Sequence, residues 1–136
     1  MTSLIKFSAL AALFIACAAQ GQIRVEHARI IATDQANQPS AIFMDLYNDS
    51  EENLQLAMAQ HPDARLELHG TQNHQMHNLP AIELPAHGSA LLQRGGLHIM
   101  VFDYPKALKS GERFPFKLLF DNGEKLDVFA EVVEAK

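Results

Sequence analysis

The sequence predicts an all-β domain, an antiparallel sandwich or barrel. Three observations predict it. Short runs alternate apolar and polar residues with period two, as in "KLDVFAEVV". Turn-forming clusters such as "NQP", "NDSEEN", "PAHGS" and "KSGE" separate the runs at the spacing of short strands. Beyond the N-terminal apolar segment, nothing reads as a helix longer than a turn or two.

The first element is not part of that domain. "MTSLIKFSALAALFIACAAQG" carries one cation, Lys6, then an apolar run from Ala9 to Ala19, too short for the roughly 20 residues that span a bilayer. It ends in small residues that suit a signal peptidase. Residues 1–19 are therefore expected to be a cleaved secretory signal, with an exported domain over 20–136. The only cysteine, Cys17, lies in "FIAC", which resembles a lipoprotein box with Phe14 where Leu is usual. Membrane attachment is expected only if Cys17 is lipidated. Cleavage after it leaves a mature chain without a disulfide or a thiolate ligand.

Strands follow at 23–32, 40–48, 54–60, 64–70, 81–85, 89–93, 97–103, 113–120 and 125–133. "DNGE" is expected to close the last two into a hairpin, because Asn-Gly readily takes the positive φ values of a type I′ turn. No repeat, linker or low-complexity tract interrupts the series, so one domain is expected. Loss of Lys6 takes the formal charge from −5 to −6. No basic cluster is present to neutralise phosphates, which argues against a nucleic-acid partner. The negative charge favours docking on a basic partner patch.

Two clusters carry chemistry. "HGTQNHQMHN", residues 69–78, concentrates three of the seven histidines and one of the five methionines. "GGLHIM" sets His98 and Met100 two apart on an expected strand, so imidazole and thioether leave one face. Thioether sulfur is a soft ligand that favours Cu(I). Zinc prefers thiolate, imidazole and carboxylate, and calcium and magnesium take oxygen. Plain structural readings stand beside this one: Met100 as core filler, His98 as a histidine on a sheet face, and His74 and His77 as solvated loop residues.

From about Val25 onward the chain resembles the periplasmic copper-chaperone family PCu(A)C. The carrying stretches are "YNDSEENLQLA", "ARLELHG", "LPAIELPAHGSALLQRGGLHIMVFD" and "LKSGERFPFKLLFDNGEKLDVFAEV". The resemblance implies a cupredoxin-like antiparallel Greek-key β-sandwich or barrel. It also implies one copper ion held by two histidines and two methionines, spaced His, ten residues, Met, twenty-one residues, His, one residue, Met. Met76, His98 and Met100 match that spacing, and His69 is the first choice for the remaining ligand. Only six residues separate His69 from Met76, and the loop holds His74 and His77, either of which is an alternative or additional ligand, the latter case favouring Cu(II). The tryptophan usual near the mature N-terminus is absent. The implied function is to carry Cu(I) and deliver it to the copper centre of cytochrome c oxidase. The implied partners are the apo copper subunit of that oxidase or another copper chaperone. Copper sequestration or buffering, and a metal-free cupredoxin-like interaction domain, are the alternatives. No nucleophile–base arrangement, phosphate loop or HExxH motif supports an enzyme, and a blue-copper electron carrier needs a cysteine ligand.

Overall fold

The computed structural model describes residues 22–135; the expected signal segment 1–19 and Cys17 lie outside them. Ten strands form: β1 (Ile23–Ile31), β2 (Ser40–Asn48), β3 (Leu54–Gln60), β4 (Arg65–Gln72), β5 (Gln75–Asn78), β6 (Ile82–Leu84), β7 (Ser89–Leu92), β8 (His98–Phe102), β9 (Arg113–Phe120) and β10 (Lys125–Val133). No helix forms among the described residues. The hydrogen-bonded order is β5-β4-β8-β2-β1-β10-β9-β3-β6, with β7 also on β2. β3 packs back on β4 and β6 on β7, which folds the ribbon over a single core.

Period-two alternation translates directly into burial. In β9, Phe114, Phe116, Leu118 and Phe120 point inward, while Arg113, Pro115 and Lys117 face out. Opposite them, β10 buries Val128, Ala130 and Val132. These side chains join Ile30, Ile42, Met44, Leu46, Leu56, Leu84, Leu92, Ile99 and Val101 in one cluster. Burying each of the larger of these side chains contributes about 1.5–3 kcal/mol. At the end of β2 the buried Asn48 is fully satisfied. Its Nδ2 donates to the carbonyls of Glu52 (2.8 Å) and Leu84 (2.9 Å), and its Oδ1 accepts from Ser50 N and Oγ. That knot fixes the "NDSEEN" loop onto β6.

Four details depart from expectation. First, one pair in the otherwise antiparallel sheet is parallel: β1 meets β10, with Arg29 opposite Glu131. Second, the 120–124 hairpin forms without a type I′ turn. Gly123 N donates to Phe120 O at 2.9 Å and only Gly123 takes positive φ, +90°. This is the three-residue loop that ends in a left-handed glycine. Third, the stretch expected to be a loop after residue 70 is a hairpin. Gln72 pairs with Gln75, and the two residues between, Asn73 (φ 52°) and His74 (φ 64°), are both left-handed. Here is the type I′ turn, with histidine in the place of glycine. Fourth, β7 and β8 run along the same edge of β2 as one strand interrupted by residues 93–97. Gly96 N donates to Gln93 O, and Gln93 N to Leu97 O, both at 2.9 Å. Gly95, at φ +84°, makes the turn possible.

Candidate metal centre

Strand register decides which side chains meet. β4 and β8 pair antiparallel with His69 opposite His98, Glu67 opposite Met100, and Arg65 opposite Phe102. On the other edge of β4, Thr71 lies opposite Met76 and His69 opposite Asn78. Residues two apart share a face. His69, Met76, His98 and Met100 therefore project from the same face, away from core residues Leu68, Ile99 and Val101. The histidine rung is central. Met100 follows one same-face position along β8, about 7 Å away, and Met76 precedes it by the same interval on β5.

The two imidazoles are buried although they lie on an outer sheet face. His69 is 9% and His98 5% exposed. Their ring centroids are 5.5 Å apart at 60°. Phe43 of β2 lies 6.4 Å from His98, and Phe102 lies 6.3 Å from His69, so aromatic rings wall the pair on both sides.

Each ring uses one nitrogen to anchor itself. His69 Nε2–H donates to Glu67 Oε1 at 3.0 Å. His98 Nδ1–H donates to the carbonyl of Gly96 at 2.9 Å. The remaining nitrogens, His69 Nδ1 and His98 Nε2, are buried and have no hydrogen-bond partner. A buried polar atom without a partner costs about 1–3 kcal/mol, and two lone pairs left this way on facing rings call for a ligand. Metal-binding histidines have this arrangement: one ring nitrogen donates to a carboxylate or carbonyl, which leaves the other as the ligating lone pair. The hydrogen bond from His69, with the Arg65 guanidinium close by, holds the Glu67 carboxyl below the usual carboxylate range. Arg65 pairs with Glu67 and also lies 3.5 Å from Asp103.

The other histidines do not join the rung. His77 pairs with Gly70, which puts it on the opposite face of β5 from Met76, and it is exposed. His74 sits in the exposed turn. His61 stacks on Phe114 at 4.6 Å, edge-on to Tyr104, and burial lowers its pKa. An apolar concavity of about 810 Å³ lies by His61, Pro115 and Phe129, apart from the rung. No cluster of three His, Cys, Asp or Glu side chains suited to a metal occurs among the described residues. Any metal on the two imidazoles would need donors of another kind, and thioethers are the neighbours that register supplies.

Sequence reasoning missed Glu67 and the Gly96 carbonyl. "ELH" carried the signal for the first, because a carboxylate two residues before a strand histidine shares its face.

Comparison with known proteins gives a consistent picture. A family model described as LpqE-like matches residues 23–132. No curated protein matches the chain. Among solved structures, the chain is similar to a copper-bound PCuAC domain from PmoF2 (TM-score 0.74, 22% identity, 85% of this chain and 95% of that one). It is also similar to apo-DR1885 from Deinococcus radiodurans (TM-score 0.65, 28% identity, 84% and 80%). The CuI-DR1885 structure matches with TM-score 0.66 at 27% identity, over 86% and 83%.

Proposed function

The chain belongs to the LpqE-like family, within the PCu(A)C group, and from that premise we propose that it is an extracytoplasmic copper carrier. Copper is its cargo. The proposed ligands are His69 through Nδ1, His98 through Nε2, and the thioethers of Met76 and Met100. The observation that carries this reading is the pair of buried, partnerless nitrogens on facing rings. Neutral imidazole and thioether donors favour Cu(I) and leave the complex cationic, which suits hand-over to a more anionic acceptor site. The proposed recipient is the copper centre of cytochrome c oxidase, and the proposed route is export by residues 1–19 to the periplasm. If Cys17 is kept and lipidated, the carrier is tethered to a membrane. The burial of both imidazoles also suits a sequestering protein, and transfer to an apo oxidase copper domain separates the two roles.

Anaerobic Cu(I) titration with X-ray absorption tests the ligand set. One copper per chain with mixed nitrogen and sulfur scattering is expected. Equal affinity for zinc, or a copper spectrum without sulfur, would overturn it.

A further inference from the structure

Two irregularities in the sheet each bring an arginine to the wall of the histidine site. In β1 the register shifts between Glu26 and Arg29, and His27 takes φ 58°. The carbonyl of His27 accepts a 2.8 Å hydrogen bond from the Arg29 guanidinium. That guanidinium lies 5.5 Å from the centre of the Phe43 ring. In the 93–97 excursion Arg94 reaches the same ring at 6.0 Å. Phe43 is the ring that walls His98.

Their surroundings set these two arginines apart from Arg24 and Arg65. Arg24 pairs with Glu26 and Asp49, and Arg65 with Glu67 and Asp103. Arg29 and Arg94, like Arg113 over Phe129, form no ion pair among the described residues, and of these three only Arg29 and Arg94 lie on the ring that walls His98. Glu131, opposite Arg29 across the β1–β10 pair, stays beyond ion-pair distance. The chain has 16 acidic and 11 basic residues, so acids were not scarce. A guanidinium held over an aromatic ring presents its edge N–H donors for carboxylate binding, and Arg29 spends only one of its five on the His27 carbonyl. Positive charge beside a cation-binding site does nothing for the cation. It suits an anionic surface that arrives next to it.

We propose that Arg29 and Arg94, mounted on Phe43, form a docking contact for carboxylates that flank the metal ligands of a partner protein. The proposal deepens the carrier reading and rests on it. It also reverses the expectation from net charge: the acidic chain receives its partner through a local basic rim. Carboxylates brought to this rim set the partner's ligands beside His98. The contact acts on encounter more than on metal affinity.

The test uses a labelled peptide with a His-x-Met ligand motif flanked by glutamates, and its twin flanked by glutamines. Anisotropy at low ionic strength reports binding to the full chain, with and without Cu(I). The wild type should bind the glutamate peptide at least about tenfold more tightly, a preference that collapses in high salt. The R29Q/R94Q double variant should lose the preference, and K125Q, which removes a charge from another part of the sheet, should keep it. R29E/R94E should prefer a lysine-flanked peptide. Equal binding of both peptides to the wild type would overturn the proposal. So would a preference that survives in R29Q/R94Q or disappears equally in K125Q. Chelator competition is read separately: R29Q/R94Q should hold Cu(I) as the wild type does. A wild type with no copper affinity sinks the carrier function, while the peptide result on the apo chain still decides the docking contact.

Discussion

The two histidines and the two methionines of the candidate site stand in different kinds of structure. His69 and His98 face each other across β4 and β8, buried, each with one ring nitrogen anchored. Met100 is half-buried one same-face position further along β8, and Met76 stands on a four-residue edge strand, 60% exposed. The imidazoles are thus held by the sheet before any metal arrives, which lowers the ordering cost of binding. The thioethers are flexible side chains at increasing exposure. A carrier needs both properties: a fixed part to capture the ion and a yielding part through which another protein's ligands enter.

The contrast breaks most decisively at the histidines. His98→Ala should reduce Cu(I) affinity by more than the roughly 10–100-fold that loss of an outer partner costs, in chelator competition. Affinity retained within that range would place the metal elsewhere. Met100→Leu comes next, with Cu(I) weakened and Cu(II) binding by the imidazoles largely spared; Met76→Leu should follow the same pattern more mildly. If Met76 proves the more damaging of the two, the exposed thioether is not the yielding one. Glu67→Gln sharpens the fixed side of the comparison. It keeps the shape but weakens the acceptor for His69 Nε2–H, so a loss of about tenfold is expected, with the far-UV spectrum unchanged.

His61 supplies a control, a partly buried histidine whose stacking on Phe114 is structural. Burial lowers its pKa below that of an ordinary imidazole, about 6.5. As pH falls below 6.5, the unfolded chain takes up a proton that the folded chain resists, so stability is lost. The melting temperature of His61→Phe should fall less steeply than that of the wild type between pH 7 and pH 5, with Cu(I) affinity intact. The smallest effects belong to His74→Ala and His77→Ala, which should leave Cu(I) affinity unchanged; a marked loss in either would mean that the hairpin rearranges around the ion.

How much of this was legible in the sequence depended on range. β2, β3, β9 and β10 have the expected bounds, because an apolar residue recurs at nearly every second position and their ends carry turn residues. "HIM" reads as one face from two residues alone. The β4–β5 hairpin was not legible. Gly70, Thr71 and Gln72 have no apolar alternation, and Asn-His is not a familiar turn pair, so the segment passed for a loop. The parallel β1–β10 pair joins residues about a hundred positions apart and left no local trace. Likewise, the partnerless nitrogens exist only once two strands have met.

The hairpin between His69 and Met76 has an evolutionary consequence. In a two-stranded ribbon, a change of length that keeps the turn must remove or add residues in both strands together. Losing one residue from each strand moves both side chains one place toward the turn and leaves them on a common face; losing a residue from one strand alone puts them on opposite faces. The six residues here and the ten of the PCu(A)C motif differ by four, which is two rungs. Histidine and methionine thus keep their common side, as they do for any even change, whereas an odd one would have sent the thioether to the far side. Family members with this ribbon should vary in loop length by even numbers, and a chain with an odd change should also have moved its methionine or altered its turn.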